Sequence, residues 1–423
     1  RACRRRHERH RLWLAGGEVG ELARQLAVAG DTRTADARVR TGTAAAPAQI
    51  VFAFAGNGAQ WPGMGRRLLE TDAAFRAAVA EIDELFAPLG GFSIAEEMAC
   101  GDGGDLARTE IAQPLLFAFQ LGLVASLGRR GVRADAIVGH SVGEVAAARA
   151  AGVLSLADAV RVLYHRSRAQ GLTRGHGRML AVSAPLQQVE EALAALGPAV
   201  EFAGYNSAED FTLAGPEPQL RTLAAALEGE ARLVKLLDLD YAFHSRAMDP
   251  VASEIRAPLD DLRPRRARVA MFSTVTGERV VGPELGGEHW WRNIREPVRF
   301  HGALEAVMGD APAVVVEITP KPVLAPYVRA VARQQGRTAA VVRGMRPDAD
   351  GADDLRAIVG DVFAHGGAVA GPRRLKSARH VAPGPIRAFA RQHFPVEFSG
   401  RGYDVVRPGD GRPLLGRPRI GRA

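Results

Sequence analysis

Apolar and polar positions follow one another in blocks that predict a parallel sheet flanked by helices. Residues 49–54 are apolar after the initial Gln49, which is typical of a strand buried on both faces. A glycine-rich loop at 55–65 and a helix over 68–86 follow this strand. A second apolar strand, 134–138, leads through a sharp turn into a helix over 144–152. This alternation of strands and helices is the pattern of an α/β protein.

Residues 177–239 have a different order of elements. The pattern predicts a strand at 179–182, a helix at 186–196, strands at 200–206 and 211–214, a helix at 217–228 and a strand at 231–236. This β-α-β-β-α-β order is the ferredoxin-like arrangement. We therefore expect a small subdomain inserted into a larger core that comprises residues 49–176 and 240–345.

The two ends of the chain form separate units in this interpretation. Residues 1–48 combine a basic segment, an amphipathic stretch at 20–29 and a Thr/Ala-rich linker, and they predict a small α+β linker domain. Residues 346–423 become rich in Arg and Pro beyond about 372 and show little periodicity, so we expect a linker there that packs back on the body.

Composition narrows the choice of partners. The 423 residues carry a net charge of +8, which would suit nucleic acid, but no helix-turn-helix, zinc-finger or RNA-binding signature accompanies it. A solvated surface, or a face for an acidic carrier protein or the phosphates of coenzyme A, explains the charge better. The longest apolar run, 114–127, is too short to span a bilayer. We expect neither a nucleic-acid nor a membrane partner.

The two cysteines, Cys3 and Cys100, lie far apart and lack the spacing of metal ligands. A disulfide framework is therefore not expected, and neither is a metal site. This use of cysteine fits a reducing cytoplasm, and no signal peptide is predicted.

The segment Gly139-His140-Ser141-Val142-Gly143 matches the G-x-S-x-G nucleophile elbow. A serine on a tight turn between a strand and a helix is exposed to substrate, and the two glycines let the chain turn without a clash. The amide at the start of the helix, that of Val142, can stabilise an oxyanion. The sequence therefore predicts Ser141 as a nucleophile.

With Glu144, this segment resembles the active-site motif of malonyl-CoA:carrier-protein transacylases, including the acyltransferase domains of type I polyketide synthases. The resemblance extends over residues 50–345. It implies an α/β-hydrolase-like core with an inserted ferredoxin-like subdomain, in agreement with the pattern above. It also implies a second oxyanion amide from the glycine-rich loop, at Gln60.

A nucleophilic serine needs a base, and eleven histidines compete for that role. The resemblance selects His244, in the segment Tyr241-Ala242-Phe243-His244-Ser245. In the family a backbone carbonyl orients this histidine, and the corresponding position is Asn293. Two acids, Asp249 and Glu317, stay open as members of a hydrolase-type triad.

The resemblance identifies Arg166 as the residue that binds a substrate carboxylate, for which a planar guanidinium is well suited. It also implies an acyl pocket formed by Tyr241 and Phe243. Because Phe243 is bulkier than the serine of methylmalonyl-selective domains, it favours malonyl. A further departure from the family is Lys321, which carries no assigned role.

The implied function is transfer of malonyl from malonyl-CoA, through a serine ester, to the phosphopantetheine thiol of an acyl carrier protein. No permanently bound cofactor is implied. Ketosynthase and dehydratase domains of the same synthase would be neighbours, since residues 1–48 resemble a ketosynthase-to-acyltransferase linker and 413–416 faintly resemble the opening of a dehydratase. A serine hydrolase, or a transferase for another acyl-CoA such as methylmalonyl-CoA, remains an alternative.

Overall fold

The computed structural model describes residues 8–15, 18–28, 38–44, 46–100, 105–347 and 351–370. The dehydratase-like segment at 413–416, and the predicted linker beyond residue 370, lie outside these ranges. The strands are β1 His10–Leu14, β2 Val39–Thr43, β3 Gln49–Phe54, β4 Ala136–Gly139, β5 Arg178–Ser183, β6 Glu201–Tyr205, β7 Asp210–Gly215, β8 Leu233–Leu236, β9 Ala270–Ser273, β10 Glu278–Val280, β11 Ala313–Ile318 and β12 Ala339–Val342. The helices are α1 Val19–Val28, α2 Arg66–Thr71, α3 Ala73–Gly90, α4 Ile94–Cys100, α5 Thr109–Arg129, α6 Gly143–Ala150, α7 Leu156–Gly171, α8 Leu186–Ala194, α9 Glu217–Leu227, α10 Ala252–Arg256, α11 Gly287–Arg295, α12 Phe300–Met308, α13 Ala325–Gln334 and α14 Ala352–Ala364.

The core is a six-stranded sheet in the order β10-β9-β4-β3-β11-β12, parallel except for the edge strand β10. Every residue of β4 and of β11 is buried, which explains why both sequences are apolar except for Glu317. The carboxyl ends of β3, β4 and β11 therefore lie side by side, and ligands of such sheets bind at that edge.

Helix α5 is largely buried beside this sheet. By length and composition it could cross a membrane, but 72% of its most apolar window is buried inside the fold. It is a core helix that packs against α3 and α7. The expected helix over 68–86 is divided at Asp72, whose side chain caps α3 by accepting the Phe75 amide at 2.9 Å.

The inserted subdomain has the predicted order of elements. Strands β5 to β8 form an antiparallel sheet in the order β6-β7-β5-β8, with helices α8 and α9 in the connections. Its own apolar cluster, which includes Val189, Leu213 and Leu220, is separate from that of the core. The ferredoxin-like arrangement is therefore present, and the strands span 178–236.

The amino-terminal unit is completed by a helix from the other end of the described chain. Strands β1 and β2 pair antiparallel, and α14 packs on both. The Trp13 and Phe363 rings lie 5.8 Å apart, and Arg40 forms an ion pair with Asp361 at 3.1 Å. The first part of the predicted linker 346–423 is thus a helix that builds this small α+β unit.

Candidate active site

Ser141 lies in the turn between β4 and α6 with a φ of 52°, in the left-handed region that non-glycine residues seldom adopt. The two glycines of the motif are required by close contacts. A Cβ on Gly139 would lie 2.4 Å from the Glu144 Cα, and one on Gly143 would lie 2.5 Å from the Phe54 carbonyl oxygen. The predicted nucleophile elbow is therefore formed.

His244 meets this serine from a loop that follows the inserted subdomain. Its Nε2 lies 2.8 Å from Ser141 Oγ, and its amide donates to the Ile294 carbonyl at 3.0 Å. Like Ser141, it has a positive φ, of 60°. Two strained backbone positions thus hold the nucleophile and its candidate base in contact.

The carbonyl that orients His244 belongs to Glu296 and not to Asn293, so the prediction for Asn293 is wrong. His244 Nδ1 donates to the Glu296 oxygen at 2.9 Å, which leaves Nε2 as the acceptor of the Ser141 hydroxyl proton. Asn293 is still inside α11, whereas Glu296 follows its end in extended conformation. Its carbonyl is therefore free of the helix and can reach the imidazole.

The two acids that remained open as triad members are engaged elsewhere. Asp249 Oδ1 accepts from Arg295 Nε at 2.6 Å. Glu317 Oε2 accepts the amides of Val323 and Leu324 at 2.9 and 3.2 Å. Within the described chain the histidine thus has a carbonyl partner where a hydrolase triad has a carboxylate.

Burial lowers the pKa of His244 to about 3, and the positive charge of Arg166 and the neighbouring His140 add to this effect. The carbonyl of Glu296 acts in the opposite direction. The imidazole is therefore neutral at pH 7 and can accept a proton.

Arg166, on α7, is completely buried. Its Nη2 lies 3.0 Å from Ser141 Oγ. Its Nη1 donates to Gln113 Oε1 and Gln170 Oε1, each at 2.7 Å, and its Nε donates to Asn293 Oδ1 at 2.9 Å. Arg166 therefore lies beside the nucleophile, and its predicted role in binding a substrate carboxylate stays a prediction.

The charge of Arg166 has no directly bonded counter-ion among the described residues, because all these partners are neutral. Burial lowers its pKa to about 9, while the more distant carboxylate of Glu144 raises it. The guanidinium therefore still carries its charge at pH 7, in a place where an unpaired cation is costly. Such a site favours an anionic ligand.

Asn293 connects this cation to the elbow. Its Nδ2 donates to the Ser141 carbonyl at 3.4 Å and to Glu144 Oε2 at 3.3 Å. Its side chain, and not its backbone, is the part that contacts the site. Asn293 thus positions Arg166 and not His244.

The two predicted oxyanion donors are compatible with the geometry but are not tested by it. The amides of Gln60 and Val142 donate to no other residue in the described part of the chain. The glycine-rich loop does pack on the elbow, since a Cβ on Gly56 would lie 2.9 Å from the His140 carbonyl oxygen. Their role stays a prediction.

A cavity of about 190 Å³ opens beside Ser141 and His244. Most of its lining is apolar and comes from both the core and the inserted subdomain, including Met179, Ala181, Leu237, Leu239, Phe243, Val323, Leu324 and Tyr327. Phe243 thus lines this cavity, and its role in an acyl pocket stays a prediction. Tyr241 does not line the cavity, because it is fully buried and stacks on Phe243 with ring centroids 4.7 Å apart.

A model of the acyl transferase domain family matches residues 51–369. The chain belongs to this family. The spectinabilin polyketide synthase system protein NorA′ from Streptomyces orinoci is 36% identical over 96% of the chain, which spans only 11% of that relative's length.

Solved structures place this acyltransferase domain among those of polyketide synthases. The acyltransferase domain from module 8 of the salinomycin polyketide synthase is 31% identical, with a TM-score of 0.80 and 84% of each chain covered. The malonyl-CoA:ACP transacylase of Synechocystis is 25% identical, with a TM-score of 0.63, and the match covers 73% of this chain and 99% of that one.

Several residues of the acyltransferase site escaped the sequence analysis. Gln113 and Gln170 are fully buried and hold Arg166, and Gln113 lies in the apolar segment that becomes α5. A glutamine directly before the apolar run 114–127 was a usable signal there. His140 and Asn206 pair at 2.9 Å across the cavity, and no sequence pattern joins them. In the described residues no cluster of His, Cys, Asp or Glu could hold a metal ion.

Proposed function

We propose that this domain transfers a malonyl group from malonyl-CoA to the phosphopantetheine thiol of an acyl carrier protein, through an ester on Ser141. One observation carries the proposal: a single oxygen, Ser141 Oγ, contacts both a neutral imidazole and a buried guanidinium that has no directly bonded counter-ion among the described residues. The first contact suits proton removal. The second suits a substrate that brings its own negative charge.

The reaction follows from these contacts. The Ser141 oxygen attacks the thioester carbon while His244 takes the hydroxyl proton, and the amides of Gln60 and Val142 stabilise the oxyanion. The carbon–sulfur bond then breaks, and His244 returns the proton to the coenzyme A sulfur. The carrier thiol attacks the malonyl ester in the same way and releases the serine.

The substrate carboxylate would pair with Arg166. Gln170 Nε2 is a second candidate donor, because it is buried and has no hydrogen-bond partner among the described residues. A buried donor without an acceptor costs about 1–3 kcal/mol. A carboxylate bound at Arg166 would supply that acceptor.

Malonyl is favoured over methylmalonyl by Phe243, which lines the cavity together with Ser141. Its ring is fixed by stacking on Tyr241, so it cannot turn aside easily for an α-methyl group. Because a single methyl group changes binding by only about 1–3 kcal/mol, we expect a preference and not a complete exclusion.

Intact-mass measurement of the protein after exposure to equal amounts of malonyl-, methylmalonyl- and acetyl-CoA tests the proposal. We expect a malonyl adduct in excess, lost in Ser141→Ala. In Arg166→Ala the preference for malonyl over acetyl should disappear. If the Arg166→Ala protein kept full malonyl selectivity, the assignment of this arginine would be wrong.

The stability of the same adduct in water distinguishes acyl transfer from hydrolysis. With a backbone carbonyl behind His244, we expect the malonyl ester to persist in water and to be removed rapidly by a phosphopantetheinylated carrier protein. Rapid loss to water without the carrier would instead favour a serine hydrolase. The carrier, and flanking ketosynthase and dehydratase domains, are proposed partners.

A further inference from the structure

Ser141 contacts Arg166, the residue that would bind the substrate carboxylate. Ser141 Oγ accepts a hydrogen bond from Arg166 Nη2 while its proton faces His244 Nε2. One lone pair of the attacking oxygen is therefore engaged. Because both nitrogens contact the same oxygen, they are at most about 6 Å apart.

The charged and titratable groups around His244 act against its protonation. Arg166 approaches it from α7 and His140 from the elbow, and both lower its pKa, although burial has the larger effect. From the α11 side its imidazole meets the carbonyl of Glu296, which carries no full charge. The carboxylate of Glu296 is engaged by Arg292, at 2.7 Å, and by Arg299.

We propose that the substrate's own carboxylate activates the nucleophile: by pairing with Arg166 it frees the Ser141 oxygen and cancels the positive charge beside His244. This inference rests on the proposed function and deepens it. Arg166 then determines specificity in the chemical step as well as in binding. An acyl group without a carboxylate leaves both restraints in place even when it fills the pocket.

In the activated step, one hydrogen bond changes partner and one proton is transferred. The carboxylate takes the Nη2 hydrogen bond, and no proton moves in that exchange. The Ser141 proton passes to His244 as the oxygen–carbon bond forms. It leaves with the coenzyme A thiol when the carbon–sulfur bond breaks.

The size of the effect follows from the separation of the charges. At about 6 Å and an effective dielectric constant of about 20, one unit charge changes the proton affinity of the imidazole by roughly a hundredfold. If about half of this change is expressed in the transition state, acylation accelerates roughly tenfold. Release of the serine lone pair adds to this.

The test supplies the thioester and the carboxylate of malonyl-CoA as two separate molecules. Acetyl-CoA supplies the thioester, and sodium formate supplies a carboxylate for Arg166. Single-turnover acetylation of Ser141, followed by intact mass, should accelerate about tenfold or more with saturating formate over sodium chloride of equal ionic strength. Acylation by malonyl-CoA should not accelerate, because its own carboxylate occupies the site.

Arg166→Gln is the matched control, with its fold checked by circular dichroism. Formate should leave its acetylation rate unchanged. No stimulation of the wild type, or equal stimulation of the variant, would overturn the inference.

A second readout uses phenylmethylsulfonyl fluoride, a neutral serine reagent. As the pH is lowered, the rate of Ser141 modification should begin to decrease at a higher pH in Arg166→Gln than in the wild type. The reason is that the substitution removes one cause of the low His244 pKa. Coincident profiles would count against the inference. A wild-type protein that malonyl-CoA fails to acylate would instead defeat the proposed function itself.

Discussion

Glu144 offers the sharpest test of how the elbow is held. Its carboxylate is completely buried and accepts from Ser273 Oγ at 2.6 Å, Thr274 N at 3.1 Å and His289 Nε2 at 2.9 Å. Thr274 Oγ1 also lies 2.9 Å from Oε2. Glu144→Gln keeps the shape of the side chain, but replaces one acceptor oxygen by a donor that faces other donors.

The cost can be estimated from these contacts. Removing a buried carboxylate that several donors hold costs about 3–5 kcal/mol, because those donors stay buried without their acceptor. We therefore expect Glu144→Gln to lower the free energy of unfolding at pH 7 by about 3–5 kcal/mol. The variant should also acylate more slowly, since Asn293 bridges Glu144 to Arg166.

The dependence on pH has a defined sign. Burial alone would raise the pKa of Glu144, but hydrogen bonds and charge from His289 and hydrogen bonds from Ser273 and Thr274 outweigh it and hold the pKa below the ordinary 4.5. A lowered folded-state pKa stabilises the fold above the unfolded value, and this contribution is lost as the pH falls through the folded value. The difference between wild type and variant should therefore shrink below about pH 4.5.

Urea unfolding of the two proteins at pH 7 and at lower pH measures these differences. Glu84→Gln, at an exposed position of α3, is the matched control and should change the free energy of unfolding by less than about 0.5 kcal/mol. A loss below 1 kcal/mol in Glu144→Gln, or a loss that does not depend on pH, would refute the reasoning.

Three further substitutions separate the roles in the site. Phe243→Ser should enlarge the pocket and raise the methylmalonyl to malonyl ratio of adducts by roughly tenfold; an unchanged ratio would remove Phe243 from selectivity. Glu296→Gln should keep acylation within about threefold, because only its carbonyl contacts His244; a hundredfold loss would identify it as a triad acid. Asn293→Ala should slow acylation by malonyl-CoA by at least about tenfold through loss of the contact with Arg166, and a rate within twofold of wild type would contradict that positioning role.

The sequence by itself determined the features that depend on local pattern. The apolar run of β3, the glycines around Ser141 and the order of elements in the inserted subdomain can be read from neighbouring residues, because burial and backbone conformation restrict residue type at each position. His244 and Arg166 were placed by resemblance, since nothing in their own neighbourhoods distinguishes them from other histidines and arginines.

Only the tertiary structure decided which groups meet across the sheet edge. The carbonyl that orients His244 is a backbone atom of Glu296. Because a backbone acceptor restricts no residue type, the family resemblance placed this role wrongly at Asn293. Tyr241 and Phe243 are near neighbours in the sequence, yet Phe243 lines the cavity, whereas Tyr241 is buried and stacks on the Phe243 ring. The neutral acceptors around Arg166 come from distant segments of the chain, and only folding buries the guanidinium among them.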